Sequence, residues 1–206
     1  MNAPFAERVA DAVERKRSVV VVGIDPRLST FPPGFRPPAS KRSPKPAAAA
    51  RSIRRFQRAL IDLIAPYAVA VKPQIAFYEQ YGLPGLAAFA DALSYARKRG
   101  LLAIADVKRG DVPSTAEAYA AAFLGNGKDA GAFDADAITI NPYFGSDGLQ
   151  PFVRAAVAGG RGCFVLVKTS NPGGSEVQDL RAEPLGGKPD TRARIQKETR
   201  RHMERV

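Results

Sequence analysis

The chain has 206 residues, 45% of them hydrophobic and 25% charged, with a formal net charge of +11. That length suits one domain with a substantial core, and no apolar run approaches the roughly 18–20 residues of a membrane helix. A single cysteine, Cys163, excludes an intrachain disulfide and cysteine-clustered metal sites, and a single histidine, His202, in a charged tail, argues against His-based triads and multi-histidine metal centres.

In chain order, the N-terminal stretch MNAPFAERVADAVERKRS mixes acids with bases and lacks an apolar signal core, so the expected location is the cytoplasm. It reads as an amphipathic opening helix. SVVVVGID (18–25) is the first strand. FPPGFRPPASKRSPKPAAAA (31–50) is a proline-rich loop without regular structure, leading into a helix over 47–64 with Ile53, Phe56, Leu60 and Ile64 on one face. YAVAVKPQ (67–74) is the second strand, and LPGLAAFADALSYARKRG (83–100) is a long helix closed by glycine. LLAIADVK (101–108) is the third strand, followed by a helix over 114–124. ADAITINPY (135–143) is the fourth, followed by a helix over 147–159, and GCFVLVKTS (162–170) is the fifth.

Strands apolar on both faces and separated by helices predict an α/β fold with a parallel sheet covered by helices. After residue 180 no sixth apolar strand follows. The expected organisation is a partial barrel domain over 1–180 and a basic tail, helical or disordered, over 181–206.

The positive charge is segmental. Residues 36–58 hold Arg36, Lys41, Arg42, Lys45, Arg51, Arg54, Arg55 and Arg58 with no acid, and 181–206 hold eight bases against four acids. Such segments can attract polyanions. Neither has interleaved aromatics or a recognisable reading motif, so nucleic-acid binding is disfavoured against solvated surface.

Each strand ends in a polar residue: Asp25, Lys72, Asp106 with Lys108, Asn141, and Lys168 to Ser170. Parallel strands share one carboxyl edge, so these residues are predicted to converge there. Asp106 and Lys108, two apart in an extended segment, point to one side at about 6–7 Å along the chain. Asp111 follows in the turn, and Ser114 or Thr115 is expected to cap the next helix. The plain structural account of Asp106, Lys108 and Asp111 is a buried ion-pair network that pins a strand end. Adding Lys72 and Asp25 at matching ends favours a working site, because buried charge clusters are costly and concentrate where chemistry uses them. Asp25 before proline and Asn141 before proline can also simply start turns. Cys163 reads as a small core residue.

ADVKRGDVPSTA resembles the Asp-x-Lys-x-x-Asp signature of the orotidine 5′-phosphate decarboxylase family. GIDPR, AVKPQIAFYEQYG, INPYFGSDGL and LVKTSNPG resemble the longer bacterial (type 2) branch of that family, in order, over roughly residues 5–180. The resemblance implies a TIM (β/α)8-type barrel, incomplete here with five βα units recognisable. It also implies a homodimer that converts orotidine 5′-phosphate to UMP in pyrimidine synthesis without cofactor or metal. By motif, Asp25 would hold a ribose hydroxyl, and Lys72 would bind the ribose and orient Asp106. Asp106 would face the substrate carboxylate, and Lys108 would donate the proton to C6. Asp111 and Thr115 would reach the partner subunit's site. Ser170 would contact the pyrimidine amide edge, and Asn141 is a further substrate-binding candidate. The chemistry suits the charges: loss of CO₂ from an sp² carbon leaves a localised carbanion, and a fixed ammonium stabilises and then protonates it. Nearby carboxylates favour the charged form of such an ammonium.

The family's late phosphate-binding loop has no counterpart after Leu180, although Gly186 and Gly187 occur. Roughly three βα units of a barrel are unaccounted for, which reads as truncation or an altered reading frame. The expectation is a chain of weak or no activity. Two alternatives compete. A magnesium-dependent sugar-phosphate decarboxylase or aldolase of the same superfamily would need an acid near Lys72. The other is a non-catalytic fragment whose basic arms bind nucleic acid.

Overall fold

Short runs of β-branched and small apolar residues, each followed by a polar turn, become strands, and the amphipathic runs between them become helices. The computed structural model describes residues 3–38, 44–126 and 129–179. Helix α1 (Phe5–Lys16) precedes β1 (Val21–Ile24), then come α2 (Pro46–Ile64), β2 (Ala70–Pro73), the short α3 (Ala76–Glu79) and α4 (Gly82–Lys98). β3 (Leu102–Arg109), α5 (Pro113–Leu124), β4 (Ala137–Ile140), α6 (Ser146–Gly159), β5 (Gly162–Val165) and the short α7 (Ser175–Gln178) complete it.

All four strand pairings are parallel, in the order β1-β2-β3-β4-β5. A doubly wound sheet reverses its strand order. Here every strand lies beside its successor, which is the order of barrel staves.

The two faces of the sheet differ in purpose. Val71, Ala103, Ala105, Ile138 and Ile140 are fully buried and pack in the clusters that include Ile53 and Ile61 of α2, Phe89 and Leu93 of α4, and Phe152 of α6. On the other face, Ala70, Ile104 and Ala137 pack with Ala12 of α1, while Phe5, Val13 and Leu102 flank them. Helix α1 therefore covers the lower, N-terminal part of that inner face. Gly162 makes room for it: a Cβ there would sit 2.4 Å from the Phe5 ring. Phe5 also meets Phe164 edge-on at 6.0 Å. At the end of α1, the Lys16 ammonium donates to the carbonyls of Ala65, Ala68 and Gly100 at 2.8–3.0 Å.

Several expectations need correction. All strands but β3 are shorter than their apolar runs, most visibly β5, which stops at Val165 so that Lys168–Ser170 lie in a loop. The proline-rich stretch 31–50 is not wholly irregular: a 3₁₀ turn spans Pro33–Phe35, and α2 already begins at Pro46, where a proline costs no hydrogen bond. Neither Ser114 nor Thr115 caps α5. Its cap is Val112, without a side-chain bond, and both hydroxyl residues lie inside the first turn.

The basic stretch 36–58 is partly engaged internally. Arg36 donates to the Phe31 carbonyl, Arg55 donates to the Gly34 carbonyl and lies over Phe35, and Arg54 and Arg58 flank Asp91. The nucleic-acid alternative loses these four cations as free contacts. Lys41, Arg42 and the tail 181–206, with His202 and the two tail glycines, lie outside the described residues. Among the described residues no helix is long and apolar enough to cross a membrane.

Candidate active site

The inner face left uncovered by α1 is its upper part, at the carboxyl edge of the strands. Register places Gly23 beside Lys72, and Gln74 bridges to Asp106. Lys72, Asp106 and Lys108 meet there, as the strand-end argument predicts. Asp106 Oδ2 accepts from Lys72 Nζ at 2.8 Å and from Gln74 Nε2 at 3.1 Å. Asp106 Oδ1 accepts from Lys108 Nζ at 2.6 Å and from Thr139 Oγ1 at 2.9 Å. Four donors fill the four acceptor positions of one carboxylate.

The burial is uneven. The Asp106 side chain is 7% exposed, whereas those of Lys72 and Lys108 are 39% and 45% exposed. The acid is thus sunk between two ammonium groups that keep an open side. Among the described residues, each ammonium meets this one carboxylate alone. The reason lies in Asp111, whose Oδ1 turns back onto the N–H of Val112 at 2.8 Å and makes no ion pair among the described residues. One carboxylate and two ammoniums leave a net positive charge facing the open side, an arrangement suited to an anionic ligand or a developing carbanion.

Lys108 reaches Asp106, but not through the extended backbone assumed from sequence. Its φ is +47°, in the left-handed region that non-glycine residues enter rarely. The β3–β4 register slips at the same place, Ala105 facing Ile138 while Arg109 faces Ile140. β3 thus takes four steps where β4 takes two, a bulge-like irregularity of a kind common beside active sites. Past it, Arg109 leaves the charge knot, bonding Glu79 at 2.6 Å and lying over the Tyr119 ring.

Burial of Asp106 by itself raises its carboxyl pKa. The hydrogen bonds from Lys108, Lys72 and Thr139, together with the Lys72 charge, outweigh that effect, and the carboxyl ends below its ordinary value of 3.8. A group whose folded value lies below its unfolded value binds its proton less readily when folded. Its contribution to stability is therefore fully present above about pH 4 and is lost as pH falls through the depressed folded value. Asp106→Asn is expected to flatten the acid limb of the stability curve, read as urea midpoints between about pH 5 and pH 2. An acid limb as steep in Asp106→Asn as in the unsubstituted chain would contradict this.

Among the described residues no hydrogen bond or ion pair ties the other predicted site residues to this cluster. Asp25 and Thr115 are exposed, at the end of β1 and in the first turn of α5. Asn141 accepts from the N–H of Tyr143 at 3.0 Å and caps the turn Pro142–Phe144, the ordinary turn role weighed for it. Ser170 is exposed in the loop after β5, beside Lys168, which pairs with Asp179 at 2.7 Å. Cys163 packs against the helix-side core, and burial pushes its thiol pKa up to about 12. Sequence reading missed two members of the cluster, Gln74 and Thr139. Both lie in quoted strand-end segments, and Thr139 is the one hydroxyl inside an otherwise apolar strand.

Comparison with known proteins identifies the family. The profile of the orotidine 5′-phosphate decarboxylase / HUMPS family matches residues 18–201. The orotidine 5′-phosphate decarboxylase of Rhodopirellula baltica is 44% identical over 177 residues, covering 85% of this chain and 58% of that protein. The enzyme of the same name from Deinococcus radiodurans is 39% identical, with 89% and 58% covered. Among solved structures, the Leishmania donovani OMP decarboxylase aligns with a TM-score of 0.66 at 33% identity, over 93% of this chain and 63% of that one. The Plasmodium berghei enzyme aligns with a TM-score of 0.74 at 17% identity, over 96% and 70%, a likeness of fold. These neighbours are TIM barrels, so the five staves are part of such a barrel. The chain spans about 58% of the length of the Rhodopirellula and Deinococcus proteins. The magnesium-dependent alternative is not favoured, since Lys72 holds the position where that chemistry needs an acid. With site and fold in agreement with the profile, the chain belongs to the orotidine 5′-phosphate decarboxylase / HUMPS family.

Proposed function

We propose that this site decarboxylates orotidine 5′-phosphate to UMP without metal or cofactor. The observation carrying that reading is the array at the strand ends: one buried carboxylate held between two partly open ammonium groups. Asp106 faces the substrate carboxylate. The C6–carboxylate bond breaks, CO₂ leaves, and the electron pair stays on C6. Lys108 Nζ stabilises that pair by proximity and then transfers a proton to C6, giving UMP; the amine regains its proton from water. Lys72 orients Asp106 and the ribose. Asp25, Thr115, Ser170 and Asn141 contact the nucleotide. A cytoplasmic homodimer, with Asp111 and Thr115 crossing to the partner's site, completes the reading, and it accounts for an Asp111 whose side chain, among the described residues, makes only a local bond.

The chain spans 58% of the Rhodopirellula baltica protein, so the test grafts residues 1–179 onto the matching C-terminal part of that relative. The graft is expected to consume orotidine 5′-phosphate, followed by ultraviolet absorbance and CO₂ release, with no effect of EDTA. A folded graft whose melting temperature rises with UMP but which releases no CO₂ would sink the assignment. Activity lost to EDTA would return the magnesium-dependent alternative.

A further inference from the structure

We propose that Thr139, on β4, is a positioning residue that holds Lys108 and Asp106 in working register through its single hydroxyl. The inference rests on the decarboxylase reading for its purpose, but its geometry stands independently. Thr139 Oγ1 accepts the N–H of Val107 and the N–H of Lys108, each at 2.9 Å, and donates to Asp106 Oδ1 at 2.9 Å. A hydroxyl has one donor and two acceptor positions, and here all three are used.

Two consequences follow from that inventory. First, the β3 bulge turns two backbone N–H groups toward β4 at the point where the ladder register slips. The part-buried N–H of Val107 requires an acceptor, and the same side-chain oxygen also takes the more exposed N–H of Lys108. The left-handed φ of Lys108 is costly for a non-glycine residue, and the bond from its own N–H to Oγ1 offsets part of that cost. Second, backbone N–H groups only donate, so with both acceptor positions filled the hydroxyl proton can go only to Asp106. The hydroxyl thereby selects the ionised carboxylate. The groups facing Asp106 are Lys72, Gln74, Lys108 and Thr139, donors all. A β-branched residue in a strand has few χ1 choices, so threonine keeps the oxygen on this face with little freedom to leave it.

The same atom therefore acts on both ends of the Asp106–Lys108 pair: it anchors the backbone from which Lys108 projects, and it adds to the two lysines in favouring the ionised form of the acid. A residue serving only strand propensity would do neither.

The test compares Thr139→Val, which keeps the shape and removes the hydroxyl, with Thr139→Ser, which restores the hydroxyl. It is read in the 206-residue chain by amide hydrogen exchange and by carbon NMR titration of the Asp106 carboxyl. In Thr139→Val, exchange at Val107 and Lys108 should accelerate on the order of tenfold, the worth of one net hydrogen bond, while the amides of Ala103 and Ile138 keep their rates. The Asp106 midpoint should move upward. Thr139→Ser should return both readouts most of the way. Unchanged exchange at Val107 and Lys108 in Thr139→Val, or a serine variant as defective as valine, overturns the proposal. Should the valine variant fail to fold, the unsubstituted chain still decides: fast exchange at both amides is incompatible with the bonds described. In the active graft, Thr139→Val should lower kcat with little change in KM for orotidine 5′-phosphate, and Thr139→Ser should recover it. A graft that releases no CO₂ while the exchange pattern follows Thr139 removes the decarboxylase reading and leaves the positioning role. An active graft with normal exchange in Thr139→Val does the reverse.

Discussion

Lys108→Ala in the graft is expected to lower kcat for orotidine 5′-phosphate by at least about 10³-fold, because two effects leave with one atom. Proton donation by a placed acid is worth roughly 10²–10⁴-fold, and a fixed charge beside a developing anion is worth about 10²–10³-fold. Groups acting as a unit are not additive, so the product of the two is an upper bound. UMP binding should survive, since most of the nucleotide contacts proposed above fall to other residues, and a melting shift with UMP checks that. Lys108→Arg separates the two effects: guanidinium keeps the charge but does not give up a proton in proteins. An arginine variant with partial activity would assign the loss to charge, and one as dead as alanine would assign it to proton transfer or to fit. If Lys108→Ala turns over within about tenfold of the parent, the donor is misassigned and Lys72, the other ammonium on Asp106, becomes the next suspect.

Much of the fold is legible because its middle strands, β2, β3 and β4, are buried on both sides. VVVVGI, AVAVKP, LLAIADVK, ADAITI and GCFV could be found by apolar β-branched content alone, and their separation by helical runs gave parallel pairing. Their ends were less legible. A strand stops where its partner stops, so β4 closes at Ile140 because Asn141 and Pro142 turn the chain, and β5 closes at Val165. The short helix α3, within IAFYEQYG, has four residues, too few to show a period of 3.6.

The site divides in the same way. Lys72, Asp106 and Lys108 were found because parallel strands gather their carboxyl ends, an argument that needs topology but no exact geometry. Period-two alternation put Asp106 and Lys108 together, yet the backbone reaches that result through a left-handed residue and a register slip. Neither leaves a glycine or proline as a marker. Thr139 stayed hidden for the same reason: in ADAITI a threonine looks like strand propensity, and only the slipped register hands it two orphaned N–H groups. The acid-free run 36–58 hid its internal partners. Four of its arginines, Arg36, Arg54, Arg55 and Arg58, serve carbonyls, a ring and Asp91, partners up to 37 positions away in the chain that no local pattern announces.

Asp136→Ala is expected to lower the free energy of unfolding by about 3–5 kcal/mol, the usual cost of removing one partner from a buried ion pair. Asp136 stands at the foot of β4, just before Ala137, and is 3% exposed. Its Oδ1 binds Arg8 of α1 at 2.5 Å and Arg161 at 3.4 Å, while its Oδ2 accepts the N–H of Ala103 at 2.9 Å. One carboxylate thus ties helix α1, the start of β3 and the approach to β5. Alanine would leave two largely covered guanidinium groups and a buried N–H without that acceptor, though Arg8 keeps the Gly160 carbonyl and Arg161 keeps Asp134. Asp136→Asn should fall between, since an amide oxygen can still accept from Ala103. Urea unfolding reads the result as a lower midpoint with an unchanged slope, and a loss below about 1 kcal/mol would show that the remaining partners suffice. The same variant in the graft should keep its turnover per folded molecule. Asp136 lies at the amino edge of the strands and Asp106 at the carboxyl edge, and in barrels the first carries stability while the second carries chemistry. Equal loss of kcat and stability in Asp136→Ala would mean the two edges are mechanically coupled through β3 and β4, and that the array at Asp106 depends on how firmly α1 closes the other end.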